Sequence, residues 1–112
     1  MRGRFALLSL AALAACSSQA DKQLEAVKSA RSVLAEWALV EQQSAGGNAQ
    51  ATYVKQMRAQ ARQQLKTAAA ELSGQPEAAG LLERLRSGSP GAADLKAAGD
   101  ALRPLEDSLE AA

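Results

Sequence analysis

The feature that most constrains this chain is a series of apolar stripes at helical spacing, cut by glycine- and proline-bearing breaks. Ala26, Ala30, Val33, Trp37 and Val40 recur at intervals of four and three, and Val27 and Leu34 widen the stripe. That spacing places them on one helix face. It predicts a helix from about Asp21 to Ser44, with Asp21 as N-cap or first-turn acid. Ala45-Gly46-Gly47-Asn48 then reads as a stop and turn, in which a glycine takes the left-handed position and Asn48 caps the next helix. A second stripe, Val54, Met57, Ala61, Leu65, Ala68 and Leu72, predicts a helix from about Ala49 to Leu72. Ser73-Gly74 ends it, and Pro76 opens a short third helix to about Arg86, because proline suits a first helical turn. After Ser87-Gly88-Ser89-Pro90-Gly91 a last stripe runs over about Ala92 to Leu109. Pro104 lies inside it and must kink the helix or start a new one, since it lacks an N–H and clashes with the preceding turn.

The expected fold is therefore all-α: an antiparallel helical hairpin over residues 21–73, plus one or two shorter C-terminal helices, 76–86 and 92–109, in a small bundle. No Val/Ile/Thr run alternates as a strand would. Counting equal distances from the turn sets Val40 opposite Val54, Trp37 opposite Met57, Val33 opposite Ala61 and Ala30 near Leu65. The core must be thin. Residues after Cys16 include twelve Leu and four Val, with isoleucine absent and one Trp, one Tyr and one Met. Such a domain is expected to gain stability from a partner or from self-association.

The first residues carry a different signal. Arg2 and Arg4 precede Phe5 to Ala15, an apolar stretch of eleven residues interrupted only by Ser9. A membrane span needs about 20 residues, whereas the apolar part of a secretory signal has about 7–15. The stretch ends Leu13-Ala14-Ala15-Cys16. This run resembles the lipobox of bacterial lipoprotein signal peptides. The resemblance implies that residues 1–15 are removed, that Cys16 is lipidated, and that acyl chains anchor the chain to a membrane, each buried CH₂ contributing about 0.8 kcal/mol. The alternative is an ordinary secretory signal with a cysteine at its cleavage site. Ser17, where enterobacterial lipoproteins retained in the inner membrane carry Asp, directs the expectation to the outer membrane, facing the periplasm. Residues 16–20 are expected as the lipidated cysteine and a short polar tether, reaching roughly 15–18 Å if extended. The murein lipoprotein of enteric bacteria is also small and helical, but its C-terminal lysine has no counterpart in Leu109-Glu110-Ala111-Ala112, so a covalent peptidoglycan link is not expected.

Lys55, Arg58, Arg62 and Lys66 form a strip about 80° wide beside the apolar face of the second helix. They are the candidate electrostatic contact for anionic lipid or an acidic partner. The competing expectation pairs them with Glu36, Glu41 or the acidic C-terminal region, where residues 75–112 hold four bases and seven acids. Trp37, Leu102 and Leu105 are the candidate interface, with core packing as the alternative. Histidine is absent and the one cysteine is assigned to lipid, which removes the commonest general base and the thiol and Cys/His zinc chemistries. Gly-rich phosphate loops and nucleophile-elbow motifs are also missing. No cofactor or metal is expected. Residues after Cys16 carry eleven Lys/Arg and twelve Asp/Glu, a balance that argues against nucleic acid. The expected role is a non-enzymatic envelope lipoprotein that binds another envelope protein or itself. A lipid-surface protein, or an accessory or inhibitor of an envelope enzyme, are the alternatives.

Overall fold

The computed structural model describes the backbone of residues 2–112 and the side chains of residues 19–112. The signal segment 1–15 and the lipidation at Cys16 lie outside the residues whose side chains are described. Five helices follow one another: α1 (Arg2–Ala45), α2 (Ala51–Glu71), α3 (Pro76–Ser87), α4 (Ala92–Ala101) and α5 (Arg103–Ala111). The fold is all-α. No helix among the described residues is long and apolar enough to cross a membrane.

The helix ends follow local chemistry. At the end of α1, Gly47 takes φ +71°. Its N–H reaches the Ser44 carbonyl at 3.1 Å, and the Asn48 N–H reaches the Gln43 carbonyl at 2.9 Å. This is a Schellman closure, which needs a left-handed residue that glycine supplies without strain. Asn48 is thereby used to finish α1 and does not cap α2, contrary to expectation; α2 starts after Gln50, with no side-chain cap. Asp21 is likewise no N-cap, because Gln19 and Ala20 are already helical. Neither residue breaks a helix, so the described end of the expected tether advances at about 1.5 Å per residue rather than as extended chain. Pro76 occupies the first turn of α3. Pro104 resolves the last stripe into two helices: Leu102 ends α4 and precedes α5, with Pro104 in the first turn of the latter.

α1 and α2 form the hairpin. α3 packs on α2, while α4 and α5 pack on α1. Trp37, Leu34, Leu65, Leu72, Leu82, Leu95, Leu102 and Val27 are the largest fully buried side chains, and no polar or charged residue is buried among the described residues. Much of the remaining core is alanine, including Ala26, Ala30, Ala61, Ala68 and Ala98. Small side chains on one helix facing large ones on the next let these helices approach closely. Within the hairpin, Val33, Trp37 and Val40 line one narrow groove together with Met57 and Ala61. The acidic C-terminal region pairs with α1 and not with the basic strip: Arg31 Nη1 lies 2.7 Å from Glu106 Oε2, and Lys28 Nζ lies 3.6 Å from Glu110 Oε1.

Candidate functional site

The basic strip of α2 divides into two engaged arginines and two exposed lysines. Arg58 forms a bidentate pair with Glu41: Nε donates to Oε2 and Nη2 to Oε1, both at 2.7 Å. Trp37 Nε1 donates to the same Glu41 Oε2 at 2.9 Å. Arg62 donates from Nη2 to the Gly88 carbonyl at 3.2 Å, and its guanidinium carbon sits 5.2 Å from the centre of the Trp37 ring. That distance is within cation–π range. Lys55 and Lys66 are exposed and have no ion-pair partner among the described residues.

The geometry follows from how helical side chains lean. Each Cα–Cβ bond tilts toward its helix N-terminus. In an antiparallel hairpin, side chains on facing helices therefore lean along the axis in opposite directions. Equal-distance counting places Arg58 opposite Glu36, five residues from Glu41, a gap of about 7.5 Å along the axis. Arg58 leans toward the turn and Glu41 leans away from it, so their heads converge. Glu36 lies on the other flank of the hairpin, beside Glu25, Ser29 and Gln64, and makes no ion pair among the described residues.

The result is an open cleft lined by Trp37, Glu41, Lys55, Arg58, Arg62 and the Ser89-Pro90 turn. The Arg58 hydrogen bond lowers the Glu41 pKa from its ordinary 4.5, aided by Trp37 and opposed by burial. The same contact raises that of Arg58. A carboxylate held ionised, with both oxygens occupied, is a poor proton acceptor at neutral pH. Its chemistry is structural: it locks α1 to α2, while Arg62 ties the α3–α4 connection to the hairpin.

The candidate interface residues are internal. Trp37 and Leu102 are each 2% exposed, and Leu105 is half-buried against the core. They form no surface patch in this fold, because their stripes close on the hairpin itself. Among the described residues, the large apolar side chains that do face solvent are Leu39 and Tyr53. The competing expectation that the strip pairs with Glu41 is met by Arg58, while Glu36 takes no base of the strip and the C-terminal acids pair with α1 instead. Sequence spacing gave no sign of which base meets Glu41 or of the α5–α1 ion pairs.

No family model matches the chain, and neither a curated protein nor a solved structure gives a match.

Proposed function

We propose that the chain is a small cell-envelope lipoprotein, anchored through Cys16, whose helical domain has a protein-interaction or structural role and no catalytic one. The observation that carries this reading is the N-terminal arrangement: Arg2 and Arg4, eleven residues from Phe5 to Ala15, then Leu13-Ala14-Ala15-Cys16. It supports a lipid anchor, and Ser17 after the cysteine supports the outer membrane, facing the periplasm, as the address. The non-enzymatic part is supported by the cleft. Its one carboxylate is engaged by Arg58 and Trp37, and its two arginines hold the fold together. The test is intact mass and membrane partition of the native protein beside Cys16→Ala. Cleavage before Cys16 with added acyl mass, lost in the variant, is the expected result. An unmodified chain in the soluble fraction overturns it.

A second reading, a lipid-surface protein, rests on Lys55 and Lys66, the members of the strip left exposed. Two lysines supply about 1 kcal/mol each near an anionic surface. The double variant Lys55→Glu/Lys66→Glu should then lose binding to phosphatidylglycerol-containing vesicles, and unchanged binding removes the idea.

A further inference from the structure

The second layer of the bundle is open along its middle. α3 lies on α2 and α4 lies on α1, but the two scarcely touch each other. Between them run two adjoining cavities of about 560 and 590 Å³ that share Leu81, Arg84 and Ala101. Leu81 and Leu85 are half-buried on the α3 wall, and Ala97 and Ala101 are exposed on the α4 wall. We propose that this seam is where two copies of the chain pair, around a two-fold axis running along it.

The charges on the walls carry the argument. Arg84 stands four residues before Gly88, and Asp94 stands three after Gly91. On antiparallel walls joined by that connection, the two lie at the same height. Both line the seam, yet they make no ion pair with each other. Arg84 lies over Gly80, where a Cβ would stand 3.8 Å from Nη1, and has no ion-pair partner among the described residues. Asp94 accepts one hydrogen bond through Oδ2, from the Gly91 N–H at 3.3 Å. A two-fold axis along the seam sets the α3 wall of one copy against the α4 wall of the other. Arg84 then meets Asp94 of the second copy, and Asp94 meets its Arg84. At the head of the seam there is one charge of each sign, at one height on opposite walls, with Glu77 set at the other end. That is a pattern an isologous interface satisfies with itself.

This axis direction has a second consequence. Because it runs along the bundle, both α1 helices enter from the same end, as two chains anchored in one membrane require. That consequence rests on the lipoprotein reading; the charge argument does not. Anchoring in one leaflet also raises the effective concentration, so a small face suffices.

The test uses full-length chains carrying two different C-terminal tags, expressed together, solubilised in mild detergent and captured through one tag. Wild type is expected to capture wild type. Arg84→Glu with itself, and Asp94→Lys with itself, each create two like-charge pairs and should lose at least about tenfold in co-capture. Arg84→Glu expressed with Asp94→Lys restores two attractive pairs and should recover it. Equal capture in every combination, or no recovery in the mixed pair with circular dichroism unchanged, overturns the proposal. Should Asp94→Lys fail to fold, Ala97→Glu places a charge on the exposed α4 wall without touching the core. Retained capture by that variant overturns the proposal as well. Repeating the swap in Cys16→Ala chains separates the two claims: a preserved charge pattern without acyl mass keeps the pairing independent of the anchor. Wild type that does not capture itself in either background overturns the proposal.

Discussion

Replacing Glu41 and Arg58 singly and together decides whether the arginine belongs to the fold or to a surface. Glu41→Gln keeps an acceptor for the Trp37 indole but removes the charge. Arg58→Met keeps the apolar stem and removes the guanidinium. Exposed ion pairs couple by about 0.2–1 kcal/mol. Hydrogen bonds to a charged group contribute about 1.5–3 kcal/mol each when sheltered. The Glu41 side chain is only 14% exposed, but Arg58 is 37% exposed, so solvent screening discounts the upper figure. The bidentate geometry argues against the lower one. The expected coupling energy is about 1–2 kcal/mol, from urea unfolding of wild type, both single variants and the double variant. Circular dichroism reports the helices. The fluorescence of Trp37, the only tryptophan in the chain, reports the clamp itself. A coupling below about 0.3 kcal/mol, with Trp37 emission unchanged in Glu41→Gln, would refute the clamp, because it would mean that Glu41 and Arg58 do not act on each other across the hairpin.

Three further outcomes follow from the same contacts. The folded pKa of Glu41 lies below its ordinary 4.5, so its stabilisation is present above the unfolded value and is lost as pH falls through the folded one; urea midpoints measured downward from pH 5 should fall more steeply for wild type than for Glu41→Gln. Gly47→Ala puts a Cβ on a residue at φ +71° and should cost about 1 kcal/mol, read as a lowered urea midpoint with an unchanged slope. Arg62→Ala, which loses both the Gly88 carbonyl and the Trp37 face, should destabilise by about 1 kcal/mol, whereas Lys66→Ala should stay within about 0.5 kcal/mol; equal effects would mean that Arg62 is solvated.

The architecture was legible where glycine and proline forced it. Gly47 and Pro76 act through backbone geometry that leaves few options, and the stripes between them carry the helical period. Pro104 allowed either a kink or a new start, and the structure has the new start. Ends without such a residue were less legible. Gln19 and Ala20 continue α1 because propensity favours it and nothing stops it, and Asn48 closes α1 where a cap for α2 is expected, so that α2 starts two residues later, at Ala51. The site was least legible. Arg58 and Lys66 look alike in sequence, since both sit beside the same stripe with the same charge. Only the register of the hairpin, together with the lean of each side chain, brings Arg58 to Glu41 and leaves Lys66 in solvent. Contacts such as Arg31 with Glu106, 75 residues apart, depend on how the last helix swings after Pro104, and no local pattern encodes that.

The strip on α2 and the seam between α3 and α4 are physically connected, and this gives the arginines a different part from the one their spacing suggests. Arg62 holds the Gly88 carbonyl, and Gly88 begins the connection from which both walls of the seam descend. Trp37 supports Arg62 from below and shares Glu41 with Arg58. The chain thus uses its one tryptophan, a carboxylate and two arginines to fix the head of the seam. Arg84 and Asp94 lie within one turn of that head, where small shifts in the connection would most disturb their common height. A basic strip that existed for contact with anionic lipid would gain from leaving all four heads in solvent. Here the two arginines, whose planar guanidinium suits bidentate and stacked contacts, are turned inward, and the two lysines are left outside. That division fits a bundle in which α2 holds the connection between α3 and α4 through Arg62, so loosening Arg62 should disturb the common height of Arg84 and Asp94 on which the proposed pairing depends.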